Sequence, residues 1–127
     1  MAATNFVTGF NHVGVPTTDL AATVKFYTDL GFNEIYTTKN GDQQVSFLDF
    51  QGIQVEAYTV EESAMVRGAI DHLALSCADV EACYEEVKKL PYPIVAEITF
   101  LPFWENGVKY FLVQGPNMEI VEFIQRL

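Results

Sequence analysis

The strongest constraint on this sequence is that it says the same thing twice. Residues 10–32 (FNHVGVPTTDLAATVKFYTDLGF) and residues 70–92 (IDHLALSCADVEACYEEVKKLPY) align at an offset of sixty. His12 then meets His72, Asp19 meets Asp79, Ala22 meets Ala82 and Leu30 meets Leu90. Conservative pairs surround them: Asn11 with Asp71, Val13 with Leu73, Val15 with Leu75, and Phe32 with Tyr92. Further on, VSFLDFQGIQVEAY and VKYFLVQGPNMEIVEF match around Gln51-Gly52 and Gln114-Gly115. A chain with such a repeat is expected to fold as two like units stacked into one core.

Each copy opens with an alternating run and continues with a helical pattern. Phe10, His12 and Gly14 share one strand face, with Val13 and Val15 on the other. Ile70, His72 and Ala74 repeat that face, with Leu73 and Leu75 opposite. Asp19 and Asp79 stand where a carboxylate accepts from the free N–H groups of a first helical turn. Leu20, Val24, Tyr27 and Leu30 form an apolar stripe, matched by Val80, Tyr84, Val87 and Leu90. Gly31 is placed to end the first helix in the left-handed conformation, and Pro91 to stop the second. Three strands complete each copy: 33–38, 44–50 and 53–58, turning at Asn40-Gly41, then 94–99, 107–114 and 118–125. The expected fold is α+β: two tandem βαβββ modules, 6–58 and 69–125, joined by a short connection, 59–68. They form a curved mixed sheet around a concave site, within a single domain over 1–127.

Composition narrows the function. Half the residues are hydrophobic and mean hydropathy is +0.14, enough apolar surface to build a core without disulfides. Seventeen acidic against seven basic side chains give a net charge of −10, which repels phosphate backbones and anionic lipid. Nucleic acid and membrane are therefore excluded as partners, and a small-molecule substrate is expected. No apolar run spans a bilayer, and the opening residues lack the basic stretch of a secretory leader. Cys77 and Cys83 match no zinc or redox spacing and read as small hydrophobes. The expected location is the cytoplasm.

The only two histidines occupy equivalent first-strand positions. Each copy also closes in a strand bearing a carboxylate, Glu56 in VEAY and Glu122 in VEFI. With Val55, Ala57, Val121 and Phe123 under the helices, parity turns His12, Glu56, His72 and Glu122 to the opposite, concave face. Glu119 aligns with Glu56 without a gap, but its parity puts it with Val121 and Phe123 or in the turn, so Glu122 is preferred. Two imidazoles and two carboxylates suit one divalent ion of zinc, nickel, cobalt, iron or manganese. Gly14 and Ala74, small residues on the same face, leave space beside it.

These paired halves, with NHVGVPTTDL opening one, DHLALSCADV the other and GPNMEIVEF closing the chain, resemble the vicinal oxygen chelate superfamily. Within it the His-Glu-His-Glu set is most similar to glyoxalase I (lactoylglutathione lyase). The resemblance implies that His12, Glu56, His72 and Glu122 are metal ligands. It makes Glu122 the catalytic base, with Glu56 its symmetric partner. The chemistry implied is proton abstraction through a metal-stabilised enediolate on an α-hydroxycarbonyl compound or thiol adduct. It further implies a homodimer. The first strand, HVGVP, carries no arginine of the kind that holds the glutathione carboxylate in that enzyme, so the substrate stays open. The loop FLPFWENGVKY offers Phe103 and Trp104 as a substrate wall, or equally as a contact surface, and Lys109 as an anion partner. Two alternatives stand beside the lyase: a non-catalytic small-molecule binder of the bleomycin-resistance type, and another superfamily metalloenzyme, an epimerase or thiol transferase.

Overall fold

Both helices start as their sequence dictates. In a computed structural model describing residues 2–127, the Asp19 carboxylate accepts from the Ala22 N–H and the Asp79 carboxylate from the Ala82 N–H, each at 3.0 Å. Helix α1 (Leu20–Leu30) ends at Gly31, whose φ of 110° places it in the left-handed region that glycine enters freely. Helix α2 (Val80–Val87) is shorter than expected. The proline ring at 91 clashes with a helical carbonyl four residues back and disfavours helical backbone at Leu90, so the last turn stops at Val87 rather than running to the proline.

The strands are β1 (Val13–Thr17), β2 (Asn33–Asn40), β3 (Gln43–Phe50), β4 (Ile53–Thr59), β5 (His72–Ser76), β6 (Ile94–Leu101), β7 (Val108–Gln114) and β8 (Ile120–Arg126). They form two four-stranded mixed sheets, ordered β1-β4-β3-β2 and β5-β8-β7-β6. In each, the first strand runs parallel to the last, and the remaining pairs are antiparallel. Strand β1 begins at Val13, which leaves Phe10 and His12 just ahead of it, and the connection between the halves extends over residues 60–71. No helix among the described residues is long and apolar enough to cross a membrane.

Each helix lies on the inner face of its own sheet, and the two halves share one apolar core. Phe26, Tyr27, Leu48, Val55 and Ala57 from the first half join Val80, Phe111, Val113, Val121 and Phe123 from the second. The buried centre of α1 is Thr23, Phe26 and Tyr27. The stripe residues Leu20, Val24 and Leu30 pack at its margins, because the helix is covered on two sides rather than one. Its second side meets the other half. The Phe26 ring stands edge-on to Tyr92 at 4.8 Å, the Tyr92 hydroxyl donates to Asp29 at 2.6 Å, and the Asn117 amide donates to Thr23 Oγ1 at 2.9 Å. Thr23 in turn donates to Thr17 at 2.9 Å inside the first half. Cys77 and Cys83 hold the equivalent places in the second half, where burial raises both thiols' pKa values, that of Cys83 to about 12.

Candidate metal centre

The parallel strand pairs position the candidate ligands. Gly14 lies opposite Glu56 and Ala74 opposite Glu122. Each histidine stands two residues before its glycine or alanine, hence on the same face and diagonal to the glutamate. Val55 and Ala57 are fully buried on the helix side, so Glu56 between them turns outward. Val121 and Phe123 do the same for Glu122, which is only 8% exposed. His12 Nε2 lies 3.6 Å from Glu56 Oε1, and His72 Nε2 lies 2.6 Å from Glu122 Oε2.

Both rings are held from behind. His12 Nδ1 meets Asn11 Oδ1 at 2.6 Å, and His72 Nδ1 meets Asp71 Oδ2 at 2.9 Å. A group bonded to Nδ1 directs Nε2 toward the site and fixes the ring's orientation. Arg67 adds a fork to the second half, donating from Nε to Asp71 Oδ1 at 2.8 Å and from Nη2 to Asp71 Oδ2 at 2.6 Å. That guanidinium, and then the His72 ring, hold the Asp71 carboxyl well below the usual carboxylate range.

These donors fit a divalent ion. Two ligands bound about 2.1 Å from one ion sit roughly 3 Å from each other, and the two His–Glu separations, 2.6 and 3.6 Å, bracket that spacing. Nitrogen and carboxylate oxygen are the donor types that first-row metals accept. The fold presents them as two pairs, one per half. Among the described residues no three His, Cys, Asp or Glu side chains are grouped as a metal would need. Both histidines line a cavity of about 560 Å³ between the halves, with Phe10, Val66, Arg67 and Ile70 at its edge, whereas Glu56 and Glu122 lie outside it.

The remaining residues singled out from sequence fall elsewhere. Glu119 belongs to the closing turn. It accepts from the Tyr27 hydroxyl at 3.2 Å and from the Asn117 backbone N–H at 2.8 Å, tying that turn to α1. Gly115 makes this approach possible, since a Cβ there would run into the Glu119 carboxylate and the Phe26 ring. Phe103 and Trp104 are exposed on the β6–β7 loop, Trp104 with the Arg126 guanidinium 4.1 Å from its ring centre. Lys109 does not join the His–Glu face: it pairs with Glu81 of α2 at 2.8 Å, on the helix side of the sheet. Asn11, Asp71 and Arg67 are the site residues that sequence reasoning left without a role. The signal was there for two of them, since positions 11 and 71 are repeat-equivalent polar residues directly before each histidine.

Comparison with known proteins agrees with this fold. Residues 9–123 match the model of the Glyoxalase/Bleomycin resistance protein/Dioxygenase superfamily. The uncharacterized protein YwbC of Bacillus subtilis is 31% identical over 124 residues, covering 91% of this chain and 96% of its own. Among solved structures, a glyoxalase I variant from Zea mays superposes with a TM-score of 0.71 at 23% identity over 91% of this chain, which spans only 44% of the maize enzyme's length. A glyoxylase/bleomycin resistance protein/dioxygenase domain from Frankia gives 0.78 at 15% identity, over 95% of this chain and 99% of its own. The fosfomycin resistance protein FosX of Listeria monocytogenes gives 0.75 at 16%, over 93% of each chain. At such identities these structures speak for the fold alone. With two βαβββ halves and a family match over nearly its whole length, the chain belongs to the Glyoxalase/Bleomycin resistance protein/Dioxygenase superfamily.

Proposed function

We propose that this protein is a divalent-metal-dependent lyase or isomerase of the glyoxalase I kind, acting in the cytoplasm on a small α-hydroxycarbonyl compound or thiol adduct. The observation that carries the reading is the duplicated His–Glu pair, each ring backed at Nδ1 by its preceding residue. An apolar core has no use for two such pairs on a sheet face, and exposed glutamates alone would be ordinary solvated charge. The full set of four donors assembles in a homodimer, the first half of one chain meeting the second half of another. Phe10 and Ile70, repeat-equivalent residues 77% and 90% exposed beside the histidines, supply apolar surface for that contact.

A divalent ion held by His12, Glu56, His72 and Glu122 supplies Lewis-acid stabilisation of negative charge on a substrate oxygen. The Glu122 carboxylate takes the proton from the hydroxyl-bearing carbon and returns it to the former carbonyl carbon. The hydroxyl proton passes from one substrate oxygen to the other through solvent, so that a hydroxycarbonyl pair exchanges its oxidation pattern with no net change of atoms. Near-complete burial keeps that carboxylate out of bulk water during the transfer. Lys109, engaged by Glu81, takes no part.

Elemental analysis of protein dialysed against zinc, nickel, cobalt or manganese is expected to find one equivalent per chain. Turnover of a methylglyoxal–thiol adduct is expected to fall by roughly two to four orders of magnitude in Glu122→Gln, with the fold retained. Full activity in that variant would remove Glu122 from the chemistry. A second reading, a non-catalytic small-molecule binder, draws on the largely apolar cavity between the halves, whose volume of about 560 Å³ suits a drug-sized ligand. Protein that stays folded and metal-free after dialysis, yet binds apolar ligands, would favour it.

A further inference from the structure

The two half-centres are not equivalent, and the difference lies behind the rings. In the first half the ring is met by a neutral amide, Asn11, and its Nε2 stands 3.6 Å from Glu56. In the second half the ring is met by a carboxylate that a two-pronged arginine locks in place, and its Nε2 stands 2.6 Å from Glu122. We propose that Arg67, acting through Asp71, is a positioning residue that presets His72 and Glu122 as the rigid half of the metal centre. The proposal rests on the metal-dependent reading above.

The physical argument has three steps. An ionised carboxylate only accepts hydrogen bonds, so Asp71 at Nδ1 requires an N–H there and leaves Nε2 to face the centre. A carboxylate gripped at both oxygens by the guanidinium fork is held against the ring, whereas among the described residues the amide of Asn11 meets only His12. Arg67 and Asp71 both belong to the connection 60–71, so this segment, which has no strand or helix of its own, is tied to the site by its basic residue. The connection is therefore part of the centre and not only a tether.

The test uses zinc alone, titrated into the full-length, metal-free protein in competition with a chromophoric chelator. Arg67→Met is expected to bind zinc roughly ten- to a hundred-fold more weakly, the range seen when a ligand's outer support is removed. Removing a cation from an acidic protein should by itself strengthen cation binding, so a positioning role and a bulk charge effect predict opposite signs. Arg67→Lys, which keeps the charge but loses the fork, is expected to recover only part of the affinity. Asp71→Asn, which gives the second half the amide of the first, is expected to fall between wild type and Asp71→Ala. A loss of affinity with an unchanged metal-free unfolding temperature supports the proposal. Zinc affinity that is equal or stronger in Arg67→Met overturns it while leaving the metal reading intact. Wild-type protein that binds no zinc or other divalent ion removes both.

Discussion

Tyr27 carries a hydroxyl into the core, where it donates to Glu119 Oε2 at 3.2 Å across ninety-two residues of sequence. Burial, and then the neighbouring Glu119 charge, hold its pKa well above the ordinary 10.0. The unfolded chain therefore loses this proton first as pH rises. The contribution is complete below about pH 10 and is lost as pH climbs toward the raised native value. Thermal unfolding followed from pH 8 to about pH 11 is expected to show a steeper alkaline fall in wild type than in Tyr27→Phe. A shallower slope will persist in the variant, because Tyr92, raised to about 12 by burial and Asp29, and Cys83, raised to about 12, act in the same direction. At neutral pH the variant should lose about 1 kcal/mol for the missing hydrogen bond; identical slopes would take Tyr27 out of the account. In sequence Tyr27 is one member of an apolar stripe. Its hydroxyl's partner is invisible there, because no local rule connects a helix to a turn that distant.

At the scale of elements, the sequence was legible wherever a signal is local. The caps at Asp19 and Asp79 and the left-handed stop at Gly31 each depend on one residue and its neighbours, and each is where the pattern puts it. The choice of Glu122 over Glu119 for the outer face followed from a period of two, which a strand cannot evade. Helix α2 shows the opposite case: the proline marks a stop, but its effect reaches back over the preceding turn, so the helix ends at Val87 and not beside the proline. Asn11 and Asp71 were seen as a repeat pair, yet their bonds to the rings depend on side-chain rotamers that no pattern specifies. Because the caps act locally and in different halves, Asp19→Ala and Asp79→Ala should each cost about 1 kcal/mol in urea unfolding, and the double variant should lose close to the sum. A strongly non-additive double variant would mean that the two helix starts communicate through the shared core.

For the whole molecule, duplication made the architecture readable, since each half's weak signals confirmed the other's. What duplication leaves unwritten is which copies meet. The structure separates the donors into two pairs, one on each half, and a shared centre turns that separation into a genetic property. A chain with His12→Ala and a chain with His72→Ala would each be inactive alone, since every centre in either homodimer lacks one imidazole. Exchanged subunits would pair the sound half of one with the sound half of the other. One centre in each mixed dimer would be whole, and random reassortment should restore about a quarter of wild-type activity. A centre built within one chain would give no recovery at any mixing ratio. Two defective alleles of this gene would then complement each other in one cell, while two alleles defective in the same half would not.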